Sequence, residues 1–275
     1  MTLRGKALPL DGEPKMVGIL NVTPDSFFDG RADWSPEAAL TRAEQLVAEG
    51  AAMIDLGGQS TRPGHVEISA EEEIARVVPV IKLMAGRISV PISIDTYKPE
   101  VAQAAAEAGA DMINDVFGFQ LHPVLAEIAA RFDCGAILMH QEAGFDDSPG
   151  DVVARIADFF RCSIAIAVNA GVPREQIMLD PGIGFAKTHG QNLEILARLG
   201  ELRALGYPLL IGASRKSVIG NTLSLPPAER LEGTLATTAL AVWQGVDFLR
   251  VHDVRANLRA ARMASAIRHS TSPLR

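Results

Sequence analysis

The sequence is short of the features that would place it outside the ordinary globular class. Its 275 residues include two cysteines, Cys134 and Cys162, and these lack the spacing of a metal-binding or redox motif. This disfavours a disulfide scaffold and favours a reducing compartment. No apolar run is long enough to span a membrane, and residues 1–15 contain no signal-peptide core. We expect a cytoplasmic protein with no membrane partner.

Positive charge is also scarce. Lysine and arginine number 26 against 33 aspartates and glutamates, which gives a formal net charge of −7 and a sequence pI near 5.4. This balance argues against nucleic acid as a general partner and against binding to anionic membrane surfaces. It leaves room for a locally basic site that binds a small anion.

What the chain does contain is a regular alternation of short apolar runs with longer, alanine-rich segments of helical period. Runs rich in Ile, Val, Leu and Met predict eight strands, at 15–22, 52–58, 91–96, 112–116, 135–140, 177–182, 208–214 and 248–253. The helices predicted after them cover about 36–49, 69–85, 98–108, 122–132, 151–170, 190–205, 227–244 and 254–268. Strands that are apolar throughout and alternate with helices predict parallel pairing.

Eight such units in a chain of this length predict an α/β fold of the (β/α)8 or TIM-barrel type, with outer helices around eight parallel strands. An open, doubly wound sheet is the alternative. No G-x-G-x-x-G follows the first run, which disfavours the dinucleotide-binding form of that sheet. No linker-like change of composition interrupts the chain, so we predict one domain over 1–275 with a short N-terminal extension at 1–14.

Local signals mark several helix ends. Ser35 before Pro36 predicts an N-cap followed by a first-turn proline. Ser69 with Glu72 has the spacing of a capping box. Glycines follow four of the helical runs, where a left-handed C-cap is expected: Gly50, Gly109, Gly171 and Gly206.

Polar residues collect at the C-terminal ends of the predicted strands, which is where barrel enzymes carry their active sites. They are Asn21, Asp55, Asp95, Asn114, Asp115, His140, Asp180, Ser214, Arg215, Lys216, Arg250 and His252. One aspartate at a strand end is usually a turn former. Polar residues at all eight strand ends indicate a binding site at one mouth of the barrel.

The two signs of charge divide around this mouth. Acids and amides come mainly from the third, fourth and sixth strands, and a carboxylate suits a heterocycle that presents two parallel N–H donors. The last two strands bring the cations, which suit phosphate. Lys216 and Ser217 stand where a helix is expected to begin, so backbone amides there would add to anion affinity. For Arg215 a structural salt bridge is an equally good interpretation, and for His140 a hydrogen-bonding role is favoured over a metal role.

Two loops at the same mouth carry specific side chains. The first, NVTPDSFFDG (21–30), follows the first strand, and the second, GGQSTRPGH (57–65), follows the second strand. Both have the composition of segments that close over a substrate.

Seven motifs connect these features to a known family. They are, in order, ILNVTPDSFFDG, GGQSTRPG, SIDTYKPEVA, INDV, LDPGIGFAK, GASRKS and RVHDV, and they extend over about residues 16–253. Together they resemble the dihydropteroate synthases, folate-pathway enzymes with a pterin-binding barrel. The resemblance implies a transferase that condenses 6-hydroxymethyl-7,8-dihydropterin diphosphate with p-aminobenzoate to give 7,8-dihydropteroate and pyrophosphate. It also implies Mg²⁺ as cofactor, a homodimer and inhibition by sulfonamides.

The resemblance also implies residue roles. Asn21 would approach the metal ion. The pterin would contact Asp95, Asn114, Met139, Asp180 and Lys216. The diphosphate would be held by Thr61, Arg250 and His252. The p-aminobenzoate pocket would consist of Arg62, Pro63, Phe185 and Ser217, with Phe27 and Asp29 closing over it. Among these, Lys216, Arg62 and Asp29 are the predicted catalytic residues.

The expected mechanism is dissociative. Diphosphate leaves well once cations neutralise its charge, and an electron-rich reduced pterin can stabilise the methylene cation, which the arylamine then attacks. Asp29 is the candidate for stabilising this cation. Two alternatives stay open: a corrinoid-linked methyltransferase on a related barrel, which would not need the diphosphate-binding cations, and a pterin-binding paralogue without turnover.

Overall fold

The computed structural model describes residues 1–23, 35–59, 67–147 and 149–270. The strands in these ranges are β1 (Thr2–Leu3), β2 (Lys6–Ala7), β3 (Lys15–Asn21), β4 (Ala51–Gly57), β5 (Ile92–Asp95), β6 (Met112–Asp115), β7 (Gly135–Met139), β8 (Ile177–Asp180), β9 (Leu210–Ile211) and β10 (Phe248–Val251). The α-helices are α1 (Pro36–Ala48), α2 (Ala70–Ala85), α3 (Pro99–Ala108), α4 (Val124–Arg131), α5 (Val152–Asn169), α6 (His189–Ala197), α7 (Ser217–Leu223), α8 (Leu231–Trp243) and α9 (Val254–Ser270).

The strands β3 to β10 form one parallel sheet that closes on itself. Their order is β8-β7-β6-β5-β4-β3-β10-β9. The two end strands meet through a parallel bridge between Leu179 and Leu209, and the backbone N–H of Leu179 donates to the carbonyl of Pro208 at 3.0 Å. The predicted eight-stranded barrel is therefore confirmed, and the open doubly wound sheet is excluded.

Side chains alternate between the two faces of each barrel strand, and both faces are buried. Outward side chains pack against the helices in the main core. Inward side chains at the lower end of the barrel form a second, mainly apolar layer, made of Val17, Met53, Met112, Ile137, Met178, Leu210 and Phe248, with the buried Ser93 of β5 at the level of Met112. An apolar layer at the bottom leaves only the upper end of the barrel for polar chemistry.

The N-terminal hairpin of β1 and β2 closes the bottom of the barrel. Its Leu3, together with Leu8, packs against the apolar layer. Arg4 Nη1 donates to the carbonyls of Ala106 and Ala110 at 2.9 and 2.7 Å, which ties the hairpin to the end of α3. The N-terminal extension thus contributes directly to the core.

Most predicted helix ends agree with the structure. The Oγ atoms of Ser35 and Ser69 accept from the backbone N–H groups three residues on. The carboxylate of Glu72, however, pairs with Arg76 instead of completing the capping box. All four predicted glycine C-caps have positive φ angles.

Two helical segments differ from the sequence prediction. The helix expected over 190–205 ends at Ala197 and continues as a 3-10 turn, Leu199–Leu205. Gly200 is a poor helix former, and its N–H donates to Gln244 Oε1 across to the next unit. The loop after β9 contains α7, a short helix outside the predicted set of eight, which begins where the sequence indicated a helix start, at Lys216 and Ser217.

Candidate active site

The polar site lies directly above the apolar layer because side chains two residues apart on a strand share one face. On β4, Met53 is followed by Asp55 on the same face. The same step carries β6 from Met112 to Asn114, β8 from Met178 to Asp180, and β10 from Phe248 to Arg250. On these four strands the barrel interior therefore changes from apolar to polar within one residue pair.

Arg250 is the centre of this polar layer. Its Nε donates to Asp55 Oδ2 at 2.5 Å and its Nη2 to Asp95 Oδ2 at 2.8 Å. Asp55 is fully buried and also accepts from Asn114 Nδ2 at 3.2 Å. Asp55 thus holds two predicted substrate-binding side chains, Arg250 and Asn114, in fixed orientations. The sequence places Asp55 at a strand end but gives it no role.

Asp180 and Lys216 form the other side of the same layer. Asp180 is buried, and its Oδ1 accepts from the backbone N–H of Gly182 at 2.8 Å. Burial raises the pKa of Asp180, and the nearby ammonium of Lys216 opposes that rise. Burial lowers the pKa of Lys216 to about 8. The charges of Asp95 and Arg250 also act on the pKa of Lys216, and the charge of Lys216 acts on the pKa of Asp95. These four side chains therefore surround one site.

Asp95 ends β5 and has one carboxylate oxygen that Arg250 does not occupy. Its Oδ1 is buried and has no hydrogen-bond partner among the residues that the structure describes. Burial raises the pKa of Asp95 to about 7, and the charge of Arg250 opposes that rise. A buried acceptor oxygen beside a fixed arginine is well suited to a ligand that brings its own N–H donors.

Replacing Asp95 with asparagine should change how stability depends on pH. The pKa of folded Asp95 lies above that of an unfolded aspartate, so between these two values the folded state binds more protons and wild-type stability falls as pH rises. The asparagine side chain of the variant does not titrate. The difference in unfolding free energy between Asp95→Asn and wild type should therefore change by about 2 kcal/mol in favour of the variant from about pH 5 to about pH 8. Urea denaturation at a series of pH values measures this difference. A constant difference would contradict the raised pKa.

The basic rim contains His252 and Ser217. Ser214 Oγ lies 3.0 Å from His252 Nδ1 and also accepts from the His252 backbone N–H, so Ser214 orients the imidazole. Ser217 is exposed and is the first residue of α7, as expected for a helix beginning there. Arg215 instead pairs with Asp253, through bonds of 3.0 and 2.7 Å, so the structure favours the salt-bridge interpretation for Arg215.

Two strand-end residues face away from the mouth. Asp115 accepts from the backbone N–H groups of Phe117 and Phe119 at 3.1 and 2.6 Å, so its placement on the acidic side of the site was wrong. His140 is fully buried between the edges of Phe145 and Phe159. Neither ring nitrogen of His140 has a hydrogen-bond partner in the described part of the chain, which contradicts its predicted role.

The remaining described site residues lie around the same mouth. Met139 points inward from the end of β7 and is buried. The ring of Phe185, in the loop after β8, lies 4.4 Å from Lys216 Nζ. Asn21 ends β3 and lies next to Gly57: a Cβ atom on that glycine would be 3.4 Å from Asn21 Oδ1. Five predicted residues lie outside the described ranges: Phe27, Asp29, Thr61, Arg62 and Pro63.

Sequence reasoning passed over one further lysine at this mouth. Lys187 ends the motif LDPGIGFAK, and its ammonium is bound by three backbone carbonyls. The available signal was a lysine that closes a glycine-rich loop between a strand and a helix.

Comparison with known proteins agrees with this arrangement. A family model described as pterin binding enzyme matches residues 17–252. A dihydropteroate synthase of Clostridium beijerinckii is 45% identical over 268 residues, which cover 97% of this chain and 99% of the relative.

Two solved structures give the same result. A dihydropteroate synthase of Clostridium difficile, determined in the presence of pteroic acid, has 49% sequence identity and a TM-score of 0.89, covering 93% of this chain and 97% of that one. A dihydropteroate synthase of Xanthomonas albilineans with 4-aminobenzoic acid has 40% identity and a TM-score of 0.91, covering 98% and 97%.

The chain therefore belongs to the pterin-binding enzyme family. Within that family, the relatives that it matches over nearly their whole length are dihydropteroate synthases. In the described residues, no helix combines the length and the apolarity needed to cross a membrane.

Proposed function

We infer that the protein is a dihydropteroate synthase of folate biosynthesis. It condenses 6-hydroxymethyl-7,8-dihydropterin diphosphate with p-aminobenzoate to give 7,8-dihydropteroate and pyrophosphate. The observation that carries this inference is the joint placement of Asp95, Asp180, Lys216 and Arg250 around one mouth of the barrel. The full-length relatives with the same activity support it.

The described residues fit the two halves of the first substrate. A pterin offers an amino group and a ring N–H side by side, which two-pronged acceptors such as Asp95 and Asp180 bind well. Asn114 and Met139 would complete this slot. Arg250 and His252 would bind the diphosphate, because guanidinium and imidazolium groups both donate to phosphate oxygens.

Mg²⁺ is the cofactor that we propose, and Asn21 is its protein ligand. The donor set fits, because Mg²⁺ prefers oxygen ligands and is commonly held by one or two protein groups together with substrate phosphates and waters. Asn21 offers an amide oxygen at the barrel mouth beside Gly57. Bound there, the ion would neutralise charge on the diphosphate.

The proposed reaction order is loss of diphosphate before attack by the arylamine. The C–O bond breaks first and its electron pair leaves with pyrophosphate. Electrons of the reduced pterin stabilise the methylene cation. The nitrogen of p-aminobenzoate then forms the C–N bond and releases one proton. The protein binds and orients the reactants and needs no nucleophile of its own.

The test is release of pyrophosphate by purified protein. We expect release that requires the pterin diphosphate and Mg²⁺, with dihydropteroate formed in equal amount when p-aminobenzoate is present. Sulfonamides should compete with p-aminobenzoate. Binding of the pterin diphosphate without either product would identify a paralogue without turnover. Methyl transfer from methyltetrahydrofolate to a corrinoid would favour the methyltransferase.

We also propose a cytoplasmic homodimer joined through the last two helices. Neighbouring exposed side chains on α8 and α9 form an apolar face, made of Leu240, Trp243, Met263 and Ile267. Faces of this kind usually mark an interface between proteins. Both cysteines are free thiols, which suits a reducing compartment.

Replacing both Leu240 and Met263 with aspartate should convert the dimer into a monomer, because two charges would be buried in an apolar interface. Light scattering coupled to size-exclusion chromatography measures the mass. The control is Leu121→Asp, since Leu121 is 51% exposed outside this face, and that variant should remain dimeric. A wild-type protein that is monomeric, or a double variant that stays dimeric, would contradict the assignment.

A further inference from the structure

Lys187 is bound by backbone rather than by a carboxylate. Its Nζ donates to the carbonyl oxygens of Gly182 and Phe185, each at 3.0 Å, and to that of His140 at 3.1 Å. Two of these acceptors belong to the loop after β8, and the third lies at the end of β7. One side chain therefore ties the loop to the neighbouring barrel strand.

The loop that Lys187 holds has an unusual backbone. Gly182 and Gly184 have φ angles of +68° and +84°, and Ala186 has a φ of +43°. The loop approaches β7 so closely that a Cβ on Gly182 would lie 2.1 Å from the carbonyl oxygen of His140. A left-handed alanine is strained, so this conformation depends on contacts that hold it, and the three bonds of Lys187 are such contacts.

Three further contacts hold the same loop, two of them from Lys216 in the active site and one from Asn192 of α6. Lys216 Nζ donates to the carbonyl of Ile183 at 2.5 Å. The N–H of Gly184 donates to Asn192 Oδ1 at 2.6 Å. The ring of Phe185 stacks under Lys216 Nζ. Phe185 therefore lies between two lysines that act differently: Lys216 reaches the site itself, whereas all hydrogen bonds of Lys187 within the described ranges go to backbone carbonyls.

The charge of Lys187 is consistent with this arrangement. Burial lowers the pKa of Lys187 to about 7, and the carboxylate of Asp180 raises it. A neutral amine has two N–H donors, whereas an ammonium has three. Three carbonyl acceptors therefore favour the ammonium form, and charge-assisted bonds of this kind are the stronger ones.

We propose that Lys187 is a positioning residue for the arylamine subsite: by binding the carbonyls of Gly182, Phe185 and His140, it fixes the loop that presents the Phe185 ring to p-aminobenzoate. The proposal rests on the proposed synthase function and adds a residue to it. A merely structural lysine would affect both substrates equally. A positioning lysine affects the arylamine more, because Phe185 belongs to the loop that Lys187 binds, whereas Asp95 and Asn114 bind the pterin from β5 and β6 without contacting that loop.

The test compares two ligands at equilibrium on Lys187→Met, which keeps the length of the side chain and removes its donors. Calorimetry with 6-hydroxymethylpterin reports the pterin subsite alone, and calorimetry with pteroate reports the pterin and arylamine subsites together. We expect the affinity for pteroate to fall about 10-fold and that for 6-hydroxymethylpterin to change less than about 2-fold, because small displacements of a positioning group carry effects of this order or larger. In turnover, the KM for p-aminobenzoate should rise more than kcat falls.

Two further variants make the result decisive. Lys82→Met removes an exposed lysine of α2 and should match wild type for both ligands. Lys187→Gln retains two N–H donors and should lie between Lys187→Met and wild type; it also takes the place of Lys187→Met should that variant fail to fold. Equal losses for both ligands, or no loss for either, would overturn the proposal.

The same experiment separates this proposal from the proposed function. A wild-type protein that binds both ligands but forms no dihydropteroate contradicts the synthase activity, and the ratio of the two affinities still tests Lys187. A wild-type protein that binds neither ligand refutes both.

Discussion

Lys216→Met is expected to lower kcat/KM for the pterin diphosphate by about 10³-fold, the order seen when one preorganised electrostatic group is removed from a site. The ammonium of Lys216 faces the carboxylates of Asp180 and Asp95 and lies over the ring of Phe185. Methionine keeps most of the packing volume but brings no charge and no donor. The buried carboxylate of Asp180 then loses its principal cation, and the pterin loses a donor.

The measurement is steady-state turnover with each substrate varied in turn, combined with thermal unfolding. The fold should survive, because Lys216 precedes α7 and contributes nothing to the apolar layer of the barrel. Lys82→Met serves again as the control, since it removes a lysine far from the mouth. If Lys216→Met retained the wild-type kcat/KM, the role assigned to Lys216 in the site would be wrong.

The barrel could be predicted from the sequence because its strands are short, apolar on both faces and separated by helices. Elements without that signature were missed. The hairpin of β1 and β2 has only two residues in each strand. Helix α7 has only seven residues, so the sequence indicated its start at Lys216 and Ser217 but not its extent. In both cases tertiary contacts, rather than a periodic pattern, select the structure.

The site was harder to predict, for a physical reason. In a barrel strand both faces are buried, so alternation of apolar and polar residues does not show which face points inward. Asn114 and Asp115 are adjacent and equally polar, yet only Asn114 turns to the interior. The same ambiguity affects Met139 and His140. Choosing between such neighbours needs the strand register, which pairing across the sheet supplies.

Lys187 and Asp55 illustrate a second limit. Their partners are far apart along the chain: Asp55 and Arg250 are separated by 195 positions, and Lys187 binds a carbonyl 47 positions away. The residue types alone suggest a solvated lysine and a turn-forming aspartate. In the folded barrel, β3 lies between β4 and β10, and this arrangement brings Asp55 within reach of Arg250. Folding also places the loop after β8 against the end of β7.

Replacing Arg250 with methionine should have the largest effect on stability. Arg250 is the cation shared by Asp55 and Asp95, and Asp55 has no exposed surface. Removing one partner from a buried ion pair leaves an uncompensated buried charge and costs about 3–5 kcal/mol. We expect a loss of that size in the unfolding free energy at about pH 8, measured from urea midpoints at constant m-value.

Acid should partly rescue this variant. The charge of Arg250 opposes the rise in the pKa of Asp95 that burial causes, so without it that pKa climbs further above the unfolded value. The folded state then binds more protons than the unfolded state over a wider pH range, and stability is lost as pH rises through it. The deficit relative to wild type should therefore be smaller at about pH 5.5 than at about pH 8.

A second substitution identifies the carboxylate responsible. Arg250→Met combined with Asp55→Asn removes the buried charge together with its partner, so the double variant should be more stable than Arg250→Met alone. Asp253→Asn is the control, because Asp253 pairs with Arg215 outside this layer, and its effect should simply add to that of Arg250→Met. If Asp55→Asn also adds without any interaction energy, Arg250 and Asp55 are not coupled, and the arginine-centred layer does not hold the site together.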